Sequence, residues 1–480
     1  MLVRLVLLVS LPLGKKIGLI MFSKKQSFIK GAIIISLGGF ISKVLGALYR
    51  IPLTNILGGE GMGIYQMVYP LYCILLTVSA SGIPTGIARL ISSGTGDGAE
   101  RRAFRLYGVV GLLGSVVMFA LSAPLARVQG EPAIALCCKL LSPSVFFVSV
   151  LSIVRGYFQG LGNMYPTALT EIAEQVIKVA VGVALSYVFR DNLALAVAST
   201  LFAVTVSEVI STAAACLWYF KRRKKLPLYH VPEPPAKDIL RFTVPLTLTA
   251  IAMPLSQLAE SIIIVRILRG ITDDATALYG IFSGCAITII NLPVSVTYGL
   301  AASGVPQISP LAESGNFAEA KKQSLKAILI TFAVSLPAAV GLYFMAPLAA
   351  KLIFGSLDEG QRVILVKLIK ILAVSSVTES LVQTSSACIT ALGSPAKSTV
   401  TQWTTAILRV GLAAALIKFT NLSVYGAAWA ANAAFFVAML MNFWYIVRAG
   451  KKRRGAHDED NADRFGNIRG RLEPSGKTGA

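Results

Sequence analysis

Lys43 and Arg50 stand in the stretch SKVLGALYR, between the apolar runs GAIIISLGGFI and IPLTNILGG. On a helix, residues seven apart are nearly two turns apart and point to nearly the same side. A charge near the centre of a bilayer costs about 2.5–3.5 kcal/mol on insertion scales, so it faces a bundle interior or a wet cavity. Two cations on one such face imply that something on that side wants positive charge. Ser36, Ser42 and Gly46 make the same helix thin and polar. The plainer alternative is snorkelling, since Arg50 lies near one end of its apolar run.

Further charges interrupt later apolar runs. Glu171, Glu174 and Lys178 share a helix face at spacings of three and four, and Glu174 to Lys178 is the favourable order for an intrahelical ion pair. Such a pair is either neutralised packing between helices or part of a proton or sodium relay, or a gate. Glu208, Glu260 and Glu379 are single acids in apolar surroundings, candidates for ion coupling (the first two) and cavity lining (the third). Glu379 has the hydroxyl neighbours Ser375, Ser376, Thr378, Ser380, Thr384 and Ser385. Arg89 follows SGIP and is expected at a cytoplasmic mouth, where it attracts a headgroup or anchors on lipid phosphate. The six cysteines lie in apolar runs without metal-ligand spacing, and there are two histidines, so no metal site or Ser-His centre is expected.

The elements that must hold these residues follow from composition. The chain is 55% hydrophobic and 14% charged over 480 residues, which places it among all-α polytopic membrane proteins. Twelve segments reach the roughly 20 apolar residues of a spanning helix. They centre on 28–50, 62–82, 105–126, 133–154, 165–189, 193–219, 239–266, 276–301, 325–350, 362–387, 398–417 and 424–447. Helices satisfy their own backbone in lipid, and a barrel would alternate in short strands. The net charge of +22 sits between the spans, so anionic lipids rather than nucleic acid are the expected partners. Arg101, Arg102, Arg105, the KRRKK of 221–225, Lys321, Lys322, Lys397 and the KKRR of 451–454 mark one set of loops as cytoplasmic, with both termini. The other loops, such as 127–132, 190–192, 269–274, 354–360 and 420–423, are short. Residues 1–24 read as an N-terminal extension with Met21 as an alternative start, and 448–480 as a disordered basic cytoplasmic tail.

The linker KRRKKLPLYHVPEPPAKD (221–238) divides the chain into lobes 25–220 and 239–447, six spans each. ASGIP at 80–84 recurs as ASGVP at 302–306, and residues 161–185 align without gaps with 392–416, matching Lys178 to Arg409. The face of Glu171, Glu174 and Lys178 becomes Gln402, Thr405 and Arg409, so any acid-based coupling is asymmetric. An even repeat starts both lobes on one side. That predicts a parallel pseudo-twofold axis along the membrane normal around a central cavity.

SKVLGALYRIPLTNILGGEGMGIYQMVYPLY (42–72), SGIPTGIARLIS (81–92) and YFQGLGNMYPTALTEI (157–172), with the six-plus-six layout, resemble the stage V sporulation protein B and polysaccharide-biosynthesis transporters of Gram-positive bacteria. These belong with the MviN-like lipid II flippases in the multidrug/oligosaccharidyl-lipid/polysaccharide exporter superfamily. The resemblance covers about 25–447 and implies a V-shaped pair of lobes moving an undecaprenyl-pyrophosphate-linked sugar across the bacterial cytoplasmic membrane, in cell-wall, spore-cortex or polysaccharide assembly. The flippases carry Ser-Arg-Val-Leu-Gly on their first helix and another arginine soon after; here Ser42-Lys43-Val44-Leu45-Gly46 precedes Arg50. Lysine keeps the charge and loses the bidentate fork. Lys43, Arg50, Lys178, Arg409 and Glu379 are thus the expected substrate cavity, Arg89 its mouth, and Glu171, Glu174, Glu208 and Glu260 the ion-coupling or gating acids. No cofactor is expected; a lipid-linked oligosaccharide, anionic lipids and cell-wall synthesis enzymes are the expected partners. The competing readings are a multidrug/cation antiporter of the same fold, a membrane enzyme, which the short outer loops disfavour, and a scaffold that transports nothing.

Overall fold

A computed structural model of the chain describes residues 28–92, 99–223 and 235–449. The expected extension (1–24), most of the linker (221–238) and nearly all of the tail (448–480) lie outside the described residues. Among the described residues every regular element is helical: α1 (Phe28–Leu76), α2 (Ile83–Ser92), α3 (Ala99–Gln129), α4 (Ala133–Gly160), α5 (Tyr165–Val188), α6 (Leu193–Arg223) and α7 (Ala236–Ala250). After these come α8 (Ala252–Arg269), α9 (Ala275–Tyr279), α10 (Ile287–Glu313), α11 (Phe317–Ile353), α12 (Glu359–Ala391), α13 (Pro395–Phe419) and α14 (Tyr425–Arg448). Short π-helical turns, Thr77–Ser81 and Gly280–Ala286, join α1 to α2 and α9 to α10.

The twelve expected spans are found, two of them fused. Straight, the 49 residues of α1 would reach about 74 Å, against a hydrocarbon core of about 30 Å. Gly58 breaks it with φ 65°, a conformation that a side chain disfavours. The first span thus ends at Gly58, and the second runs on into α2. Among the described residues nine helical segments are long and apolar enough to cross a membrane, and the first of these, Leu37–Ser92, holds both fused spans. α5 and α12 are absent from the nine because charges interrupt them, Glu171, Glu174 and Lys178 in one, Arg362, Lys367, Lys370 and Glu379 in the other. Local signals set the helix starts: Asp358 caps α12 by accepting from the Gln361 N–H at 2.7 Å, Asn316 caps α11, and proline opens α5 and α13.

The apolar core shows where the two halves join. One large cluster takes Leu53, Met62 and Leu141 from the first half together with Phe282, Leu365 and Ala428 from the second. It lies toward the end that carries the short loops. Toward the basic-loop end the core divides, Ile83, Ile153 and Tyr219 falling in first-half clusters and Ile308, Cys388 and Ile446 in a second-half cluster. α7 is the exception. The linker groups it with the second half, yet Ile239 packs in a first-half cluster and Tyr107 shares a hydrogen bond with Thr243.

At the short-loop end the backbones meet closely. A β-carbon on Gly63 would come within 2.1 Å of the Thr276 carbonyl oxygen, and one on Gly280 within 2.0 Å of the Gly59 carbonyl oxygen. The offset between ASGIP and ASGVP maps Gly58 onto Gly280, so this contact straddles the expected pseudo-axis. Asn55 adds a clasp: its Nδ2 donates to the Ile353 carbonyl at 2.9 Å, and the Ser356 N–H donates to its Oδ1 at 3.3 Å. The halves are thus sealed at one end and separated at the other.

Candidate functional site

The cleft between the halves has two chambers. The wide one, about 410 Å³, is lined by Lys43, Arg50, Lys178, Gln175, Tyr65 and Gln383, among others. The deep one, about 190 Å³, is lined by Gln66, Gln257, Tyr279, Ser375, Arg409 and Phe435, among others. Arg50, Tyr69, Asn291 and Glu379 belong to both. Arg50 is eight residues, about 12 Å of helix, from the break at Gly58. Lys43 lies further toward the open end.

Glycines bring the walls of the wide chamber together. A β-carbon on Gly182 would stand 2.1 Å from the Tyr49 hydroxyl, and one on Gly46 would stand 3.4 Å from Gln175 Oε1. α5 therefore lies against α1, with Lys178 facing the stripe that carries Lys43 and Arg50. Arg50 reaches across to the second half, Nη1 donating to Thr288 Oγ1 at 2.9 Å. Ser42 Oγ, Tyr49 Oη and Gln175 Oε1 are buried in this wall and have no hydrogen-bond partner among the described residues.

Each expected site residue has a definite place. Lys43, Arg50 and Lys178 line the wide chamber, Arg409 the deep one, and Glu379 both. Lys178 is not the close partner of Glu174, as the spacing along α5 predicted. Arg155 of α4 takes that carboxylate, Nη2 to Oε2 at 2.9 Å, while its Nε donates to Thr170 Oγ1 at 2.9 Å. This leaves the Lys178 ammonium in the cleft wall. Glu208 of α6 is 3% exposed and adjoins Glu174. Glu171 faces α1, its Oε2 near Gly39. Glu260 holds Arg409 at 2.6 Å, and the guanidinium lies 6.0 Å from the Phe435 ring centre. Arg89 is exposed at the end of α2 and lines neither chamber.

Sequence reasoning missed Arg155, although the rule that found Lys43, a charge within an apolar run, applies equally to SIVRGYF. It also missed Gln257 and Asn291, whose neutral amides stand out in no composition count. Electrically the chambers differ. The wide chamber has three cations, with Glu379 at its boundary. The deep chamber shares Arg50 with the wide one and adds Arg409, already matched by Glu260, then amides, hydroxyls and aromatic rings.

A family model described as polysaccharide biosynthesis protein matches residues 28–312. The chain is 26% identical over 303 residues to stage V sporulation protein B of Bacillus subtilis (strain 168), covering 59% of this chain and 58% of that protein. It is 22% identical over 367 residues to lipid II flippase MurJ of the same organism, covering 69% and 66%. The chain thus spans about three-fifths of the length of the curated relatives it matches. Among solved structures, an inward-facing multidrug resistance MATE family transporter of the MOP superfamily superposes with TM-score 0.71 at 20% identity, covering 88% of this chain and 99% of that one. A MOP superfamily transporter from Pyrococcus furiosus, described with a binding pocket of reversed polarity, gives 0.64 at 19%, covering 89% and 98%. At these identities the likeness is one of fold: this is a multi-pass membrane protein with the architecture of that superfamily.

Proposed function

The chain belongs to the polysaccharide biosynthesis protein family, and on that premise we propose that it flips an undecaprenyl-pyrophosphate-linked oligosaccharide across the bacterial cytoplasmic membrane by alternating access. The observation that carries the reading is the wide chamber. Lys43, Arg50 and Lys178 converge there beside three unpartnered polar atoms. A diphosphate supplies the matching charge, with acceptors for the Ser42 and Tyr49 hydroxyls. One curated relative is a lipid II flippase and another a sporulation protein. These support a role in cell-wall, spore-cortex or polysaccharide assembly.

With the basic loops cytoplasmic, the sealed short-loop end is the outer face and the cleft opens inward. The headgroup enters from the cytoplasm past Arg89, the lobes rock, and the Gly63–Thr276 contact and the Asn55 clasp release on the outer side. The prenyl tail stays in lipid throughout, and no bond is made or broken. Membrane potential acting on the charged headgroup, or an ion taken up by the Glu174–Glu208 pair, supplies the drive. Anionic lipids hold the basic loops, and cell-wall synthesis enzymes supply and consume the substrate.

A multidrug/cation antiporter is the second reading, favoured by the half-buried Glu174 and the buried Glu208 in the first half. Each of the two readings predicts a different assay result. Proteoliposomes of the full chain are loaded with a fluorescent undecaprenyl-pyrophosphate glycan, and exposure of the headgroup on the far leaflet is followed. Wild type should translocate, and Lys43→Ala and Lys178→Ala should each slow it about tenfold or more while the protein stays folded. A wild type that moves no glycan but exchanges organic cations for protons would establish the antiporter instead.

A further inference from the structure

The deep chamber has a chemistry that phosphate binding does not use. Gln257 of α8, Asn291 of α10 and Glu379 of α12 line it, and among the described residues their side chains have no hydrogen-bond partner. Of its two guanidiniums, Arg50 is shared with the wide chamber and Arg409 is matched by Glu260 at 2.6 Å. Tyr69 and Phe435 contribute aromatic surface. We infer that this chamber is a saccharide subsite, which takes the single uncharged sugar ring bonded directly to the phosphates held in the wide chamber.

Each part of the lining fits that ligand. Sugar hydroxyls both donate and accept, and a primary amide answers both ways, while a carboxylate only accepts. Gln257 and Asn291 therefore suit a ring bearing hydroxyls or an acetamido group, and Glu379 takes one of its O–H donors. The aromatic walls offer flat apolar surface to the C–H face of a ring. Volume sets the limit: about 190 Å³ is below the roughly 300–1,000 Å³ of pockets for drug-sized ligands. One ring fits and a chain of rings does not. Glu379 sets the charge preference, because it would repel a carboxylate on this ring while Arg409 is already matched by Glu260 and Arg50, shared with the wide chamber, is taken up by the phosphates. The four residues common to both chambers make the sites contiguous, as a ring bonded to phosphate requires. The subsites also divide by half: Lys43, Arg50 and Lys178 come from the first six spans, whereas Gln257, Asn291 and Glu379 come from the last six.

The inference rests on the lipid-linked reading, and one binding experiment separates the two. The full chain in nanodiscs is titrated with undecaprenyl pyrophosphate, with the same lipid carrying one N-acetylglucosamine, and with one carrying a uronic acid. Wild type should prefer the N-acetylglucosamine lipid to the bare pyrophosphate by about tenfold, as two good hydrogen bonds allow, and should bind the uronic acid lipid more weakly. Gln257→Ala, which touches the deep chamber alone, should abolish the preference and leave the bare lipid unchanged, whereas Lys43→Ala should weaken all three lipids together. Glu379→Gln should improve the uronic acid lipid. Equal binding of bare and N-acetylglucosamine lipids by wild type would overturn the saccharide subsite and leave the flippase reading standing. So would Gln257→Ala weakening both alike. Binding of no lipid would overturn both.

Discussion

Lys178 and Arg409 occupy matched positions in the two halves, on α5 and α13, and their surroundings make them opposites. In the first half a second cation, Arg155, occupies the carboxylate of Glu174, so Lys178 remains in the wall of the wide chamber. In the second half no such cation intervenes, and Arg409 is locked to Glu260 with side chains only 7% and 4% exposed. One ancestral-looking position thus serves the cleft in one half and the scaffold in the other. Buried charge is not in itself a sign of a ligand site; what decides is whether the protein has already matched it.

That contrast can be broken most forcefully at Glu260. Glu260→Gln leaves Arg409 buried without its counter-ion, and stability in mixed detergent unfolding should fall by about 3–5 kcal/mol. The double variant Glu260→Gln with Arg409→Met should recover much of the loss. Lys178→Met, by contrast, should leave stability nearly unchanged and remove headgroup affinity. Equal destabilisation by the Glu260 and Lys178 changes would erase the distinction.

The seal between the halves comes next in size. Gly63→Ala places a methyl group 2.1 Å from the Thr276 carbonyl oxygen, and overpacking of this kind costs about 1–3 kcal/mol. Because the obstacle is backbone of the opposite half, the relief is separation. Spin labels at 55 and 356 should report a longer distance in Gly63→Ala than in wild type. Gly315→Ala, at a turn with φ 78° and open space around it, should leave that distance as it is.

Arg155→Ala sharpens the comparison in the first half. It releases Glu174, which can then turn to Lys178 one helical turn away and withdraw that charge from the cleft. Headgroup affinity should drop several-fold, and Glu174→Gln added to Arg155→Ala should restore it. A double variant no better than Arg155→Ala would show that Arg155 acts otherwise. The smallest effect belongs to Arg269 and Glu131, which face each other at 3.9 Å near the short-loop surface. Arg269→Gln should change stability by less than about 1 kcal/mol, and the change should shrink further in high salt.

Much of this was present in the chain before folding. Hydropathy, loop charge and the ASGIP–ASGVP recurrence are local or periodic, so a linear reading recovers all-α architecture, twelve spans and the matched pair Lys178 and Arg409. The cost of a bare charge in lipid likewise singles out Lys43, Arg50 and Glu379 as facing the interior of the bundle. Which charges neutralise each other is different in kind. Arg155 and Glu174 lie on separate helices, as do Arg409 and Glu260, and only the packing of α4 on α5 and of α8 on α13 decides those pairs. The same holds for the small contacts, since Gly63 reads as one glycine among 41 until Thr276 of the other half arrives against it. Composition and periodicity are properties of a segment, whereas the chambers exist only between segments. The sequence alone therefore determined that cations face inward, and the tertiary structure decided which of them a carboxylate of another helix takes.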